Sequence, residues 1–151
     1  MKSVLIDTNA LVLFIAGNVD RRSVGSHRRL RAFEMDDLER LNGFVRSFNR
    51  HVSLPQVLAE ASNLIGAGDQ EMVRGAAAAL GDYIQSLDEL SIASRQVVRT
   101  NAYLRLGLTD SAILSLRAGD VTVVTTDHAL YGQLASLNIS AKNLFHDKVL
   151  R

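Results

Sequence analysis

Apolar positions in this chain form short unbroken runs, alternating with longer stretches where they recur every three or four residues. Ser3 to Ile6 is such a run and predicts a strand buried on both faces. Asn9 to Gly17 predicts an apolar helix stopped by Gly17 and Asn18, and the polar stretch Asp20 to Gly25 a loop. Helical periodicity over Ala32 to Phe48 runs through Phe33, Leu38, Leu41, Phe44, Val45 and Phe48. Arg50 to Leu54 reads as a second strand. Pro55, suited to the first turn of a helix, opens a helix ending near Gly66. Asp69 to Leu87 and Ser94 to Leu106 predict two more helices, the second stopped by Gly107. Thr109 is the expected N-cap of a helix over Asp110 to Ala118, stopped by Gly119. Val121 to Thr125 is the plainest strand, Asp127 to Ser136 a further helix, and Ile139 to Leu144 a last edge strand. Strands separated by helices imply a mostly parallel sheet with helices on both faces.

The 151 residues suit one domain, 1–151, and an apolar fraction of 47% is enough for a real core. Formal net charge is +1 with a pI near 8.2, so bulk charge argues neither for nor against a nucleic-acid partner. The chain has no cysteine, which excludes disulfides, thiolate metal sites and cysteine nucleophiles. The N-terminal apolar run is broken early by Asp7, unlike a signal peptide, and no stretch approaches the roughly 18 apolar residues of a membrane span. A soluble cytoplasmic protein is expected.

Four acids stand apart from the rest. Asp7 follows the first strand, Asp127 follows the Val121–Thr125 strand, Glu60 lies within the helix that Pro55 opens, and Asp110 lies at the start of its own helix. All four have mostly apolar or small neighbours. Sites in open α/β sheets gather at the carboxyl ends of the strands. A carboxylate near a core is costly unless paired or metal-bound, and four together repel unless cations enter or some become protonated. Without thiolates, an all-oxygen cluster suits a hard cation, Mg2+ or Mn2+, which activates water and neutralises a phosphoryl group. Each acid also has a plainer reading. Asp7, Asp110 and Asp127 fit helix N-termini, and Glu60, inward-looking or at the margin of its apolar stripe, fits a partly buried ion pair.

Four segments together resemble the PIN-domain ribonucleases. They are Val4-Leu5-Ile6-Asp7-Thr8-Asn9, Leu54-Pro55-Gln56-Val57-Leu58-Ala59-Glu60, Leu108-Thr109-Asp110-Ser111-Ala112-Ile113 and Val124-Thr125-Thr126-Asp127. Any one is weak; four in order, on the right elements, span nearly the whole chain. The resemblance implies a three-layer α/β/α sandwich around a central, mostly parallel sheet and metal-dependent hydrolysis of RNA. Size and layout are most similar to VapC-type toxins of toxin–antitoxin pairs, which implies an antitoxin partner and a homodimer. By the same resemblance Asp7, Glu60, Asp110 and Asp127 would hold one or two Mg2+ or Mn2+ ions. Thr8, Asn9 and Thr126 would orient those carboxylates, although helix capping accounts for the same three residues. His128 is expected on the helix surface.

The stretch Arg21 to Arg31 carries five arginines (Arg21, Arg22, Arg28, Arg29, Arg31) and His27. It reads either as an RNA backbone contact or as a solvated loop, paired in part with the acids between Glu34 and Glu39. Three alternatives accompany the nuclease. One is a PIN-fold RNA- or protein-binding subunit without catalysis, and another an RNA-processing nuclease that is no toxin. The third is a phosphatase or phosphotransferase of the doubly wound class with Asp7 as nucleophile, a class that wants a second Asp where Asn9 stands.

Overall fold

The computed structural model describes residues 2–116 and 120–146. Five strands form the central sheet: β1 (Ser3–Ile6), β2 (Arg50–Ser53), β3 (Asp88–Glu89), β4 (Val121–Thr125) and β5 (Ala141–Asn143). Their order is β3-β2-β1-β4-β5, and every pairing is parallel. Helices complete an α/β/α sandwich. Helix α1 (Thr8–Val19) packs against α2 (Met35–Val45), α3 (Pro55–Ile65) and α4 (Gln70–Ser86). After the short turns α5 (Ser94–Val97) and α6 (Tyr103–Leu106), α7 (Leu108–Leu114) and α8 (His128–Ser136) pack together, α8 also against β4 and β5.

The apolar runs become the core as their pattern requires. All of β1 is buried, and Leu5, Ile6, Leu11, Leu13, Leu38, Leu41, Ile113, Leu130 and Leu134 are shut off from solvent. Emptying any of the fully enclosed leucines would cost about 2–5 kcal/mol. Arg40 of α2 pairs with the buried Asp37 and donates to the Leu144 carbonyl at 2.6 Å, tying α2 to the chain that leaves β5.

Several boundaries differ from the sequence expectation. Helix α1 runs past Gly17 to Val19; Gly17 serves close approach instead, since a Cβ there would sit 3.2 Å from Leu38 and Val24. The helix expected over Ala32 to Phe48 begins only at Met35 and stops at Val45. The helix expected over Ser94 to Leu106 breaks into α5 and α6, and the Thr100 hydroxyl donates to the Val97 carbonyl at 2.7 Å where the break occurs. Gly107, not Thr109, is the cap residue of α7, at φ 86°, a conformation left to glycine. The expected end of that helix at Ala118 and Gly119 lies outside the described residues. The expected strand over Ile139 to Leu144 is shorter, at Ala141–Asn143. Strand β3 was not anticipated; two exposed acids carry no strand pattern.

The chain builds β1, β2 and β3 in one direction and then returns to place β4 on the other side of β1. A crevice opens at the carboxyl ends of two strands where the order reverses, here β1 and β4. Asp7 and Asp127 stand just past those two ends.

Candidate active site

Asp7 ends β1 and caps α1. Its Oδ1 accepts from the Thr8 backbone N–H at 2.7 Å, and its Oδ2 accepts from the Thr125 hydroxyl at 2.8 Å. Burial pushes its pKa up, the two hydrogen bonds pull it back, and the charges of Asp127 and Glu60 add to the rise, which prevails. Each oxygen retains a second lone pair for a further partner.

Thr125 is the site residue that sequence reasoning missed in favour of Thr126. Its buried hydroxyl donates to Asp7 and accepts from the Asp127 backbone N–H at 3.0 Å, so one side chain fixes both acids. The pairing of Ile6 with Val124 brings Thr125 abreast of Asp7. The half-buried Thr126 side chain makes no hydrogen bond among the described residues, and neither does the exposed Asn9. Thr8 steadies Asp7 through its backbone, whereas its own hydroxyl is buried without a partner.

Asp127 caps α8 as an ordinary helix N-terminus would, its Oδ1 accepting from the Leu130 N–H at 2.9 Å, with its side chain open to solvent. Asp110 lies in the first turn of α7, part-buried. Its pKa is pushed up to about 7, first by desolvation and then by the charges of Asp7, Asp127 and Glu60. Four carboxylates from four separate segments are thus near enough to feel one another. Glu60 departs from the expectation of an inward-looking residue: it is exposed on α3, where its Oε2 accepts from the Thr109 hydroxyl. Thr109 thereby links α7 to α3 rather than capping α7.

The donor chemistry of this cluster fits a hard divalent cation. It offers carboxylate oxygens and no sulfur. The cluster is open: among the described residues no three acidic or imidazole side chains already enclose an ion site. His128 is exposed on α8, its ring 6.3 Å from that of His146.

The arginine-rich stretch lies at the other end of α1, whose 12 residues carry the chain about 18 Å from Asp7 at roughly 1.5 Å per residue. Arg22 pairs with Asp20 at 2.9 Å and Arg21 approaches Glu39 at 3.9 Å. Arg28, Arg29 and Arg31 are exposed, with no ion pair among the described residues. The segment is anchored by the buried His27, whose Nδ1 accepts from the Arg29 N–H at 3.0 Å and whose Nε2 faces the Ile65 carbonyl at 3.2 Å. An accepting Nδ1 places the ring proton on Nε2, which donates to Ile65.

No family model matches this chain, and comparison with curated proteins finds no relative. Among the described residues no helix is long and apolar enough to cross a membrane.

Proposed function

We propose that the protein is a Mg2+- or Mn2+-dependent endoribonuclease of the PIN type, hydrolysing RNA phosphodiester bonds at the carboxyl ends of β1 and β4. The observation that carries this reading is the mutual proximity of Asp7, Glu60, Asp110 and Asp127: after desolvation, the largest cause, the charges of the other three acids add to the push that takes the Asp110 carboxyl up to about 7. A cluster that holds back a proton against its own repulsion is one that a divalent cation relieves.

Asp7, Asp110, Asp127 and Glu60 would hold the cation. Bound there, it supplies positive charge at the scissile phosphate and acidifies water for the attack. The chain's own contribution is positioning. Thr125 holds Asp7 and the backbone of Asp127 in one arrangement, and the Leu130 N–H fixes the Asp127 carboxylate. Thr109 turns Glu60 toward α7. Asp110 keeps or releases a proton near neutral pH, so loading of the site is coupled to that proton. The unpartnered Thr8 hydroxyl is free to orient a ligand of the cluster. A role as the toxin of a toxin–antitoxin pair and a homodimer follow from the sequence resemblance alone, and a cytoplasmic location from the sequence's composition; all three belong to this proposal.

The test is incubation of the purified protein with a mixed pool of structured and single-stranded RNAs in Mg2+, Mn2+ or EDTA, beside Asp7→Asn and Asp110→Asn. Cuts that need metal and vanish in both variants are expected. Folded protein, free of a co-purified inhibitor, that cuts nothing at any metal concentration would refute the nuclease and leave a non-catalytic binding subunit.

A further inference from the structure

The strongly basic stretch of the sequence lies at the other end of α1 from Asp7, but it is not the only place where exposed arginines stand together. A cleft of about 430 Å³ runs along α7 and α8, bordered by the α5 and α6 turns. Arg99 and Arg105 stand on its border, both exposed and without an ion pair among the described residues. Asn101 and Gln133 add amide donors. Ser111, the residue after Asp110, lines the same cleft; it is fully buried and its hydroxyl has no partner. A buried hydroxyl left unpaired costs stability, which a ligand oxygen or a water reaching it would recover.

We propose that this cleft seats the single-stranded RNA flanking the scissile bond, with Arg99 and Arg105 on its backbone phosphates and the Ser111 hydroxyl on a phosphate or sugar oxygen. The inference rests on the nuclease reading and assigns its substrate track. The lining is rich in donors and its two charges are both positive, as a phosphate backbone requires. Ser111 follows Asp110 directly in α7, so the cleft and the acidic cluster draw on the same short helix. The arginines of the 21–31 stretch lie at the opposite end of α1 and have no such continuity.

The experiment measures binding of a fluorescein-labelled single-stranded RNA in EDTA at several salt concentrations. An Arg99→Gln/Arg105→Gln variant is compared with Arg46→Gln/Arg74→Gln, which removes the same charge from exposed positions elsewhere. Only the cleft variant should lose affinity, at least tenfold at low salt, with its log–log salt slope shallower by about 1.4 for two lost phosphate contacts. Ser111→Ala should weaken binding several-fold while its Tm stays level or rises. Equal weakening by the two arginine pairs, or unchanged binding by the cleft pair, would overturn the proposal. So would a cleft that takes poly-glutamate and leaves RNA unbound. Cleavage is scored separately in Mn2+. Cleft-dependent binding without any cutting sinks the nuclease and leaves the RNA track; cutting with KM unchanged in the cleft variant sinks the track and leaves the nuclease.

Discussion

Replacing Asp110 with Asn should make the metal-free protein more stable, and only above mildly acidic pH. The unfolded chain ionises Asp110 near 3.8, whereas the fold raises it to about 7 through desolvation and three neighbouring carboxylates. Between those two values the unfolded state has released a proton that the folded state retains. Stability therefore falls as pH climbs through the window and is flat above it. Each tenfold in proton affinity is worth about 1.4 kcal/mol, so the gap from 3.8 to about 7 sets a ceiling near 4 kcal/mol. Asp110 is only part-buried, and water screening lowers the expectation to about 2 kcal/mol. Asn cannot ionise, so Asp110→Asn should exceed the wild type by about 2 kcal/mol at pH 8 and by a small fraction of that at pH 4.5. Urea unfolding in EDTA at the two pH values measures both differences. Saturating Mn2+ should shrink or reverse the gain at pH 8, because a bound cation removes the repulsion only where all four carboxylates are present. Equal stability of the two proteins at pH 8 in EDTA would refute the clustered arrangement of the acids, whatever the protein is found to do.

Three other outcomes follow from single contacts. Thr125→Val leaves Asp7 Oδ2 and the Asp127 N–H without their shared partner; urea unfolding should show a loss of about 1–3 kcal/mol, and any metal-dependent cleavage should fall roughly 10–100-fold. Thr8→Val removes a buried hydroxyl that has no partner, so its unfolding free energy should match or exceed the wild type by up to about 1 kcal/mol while cleavage falls; a large destabilisation would count against a hydroxyl reserved for a ligand. A Cβ on Gly68 would lie 2.7 Å from the His27 ring, so Gly68→Ala should cost about 1–3 kcal/mol. The penalty should shrink in a His27→Ala background, which a double-mutant cycle reads directly.

Where apolar periodicity was strong, the elements were legible in the sequence. Strands β1 and β4 and helix α3 fall where the runs and Pro55 put them, because a buried run bounded by turn residues leaves the chain few choices. Legibility failed where side-chain hydrogen bonds or tertiary contact outweighed pattern. Thr100 closes a turn that apolar spacing alone would continue, Gly17 permits helix contact instead of ending a helix, and β3 exists only because β2 offers it an edge. In the site, the four acids could be named from their segments, but their partners depended on strand order. Thr125 and Thr126 are indistinguishable until β4 is known to lie beside β1 with Val124 opposite Ile6. Arg99 and Arg105 were invisible for the same reason: nothing in the sequence says that the turns after β3 border α7 and α8.

The capping and functional readings of the acids turn out to describe one placement. Asp7 and Asp127 both accept backbone N–H groups at helix N-termini, and Asp110 lies in the first turn of α7. Helix N-termini carry partial positive charge, so three of them directed at the same crevice offset part of the repulsion among the carboxylates. This has a practical consequence for separating the two roles. Asn caps a helix about as well as Asp, whereas Ala does not, at a cost of about 0.5–2 kcal/mol. Asp127→Asn should therefore retain the fold's stability and lose metal-dependent cleavage, while Asp127→Ala should lose both. If instead Asp127→Asn cleaves RNA like the wild type and only Asp127→Ala is impaired, the carboxylate is a cap and nothing more, and the acidic cluster has three working members at most.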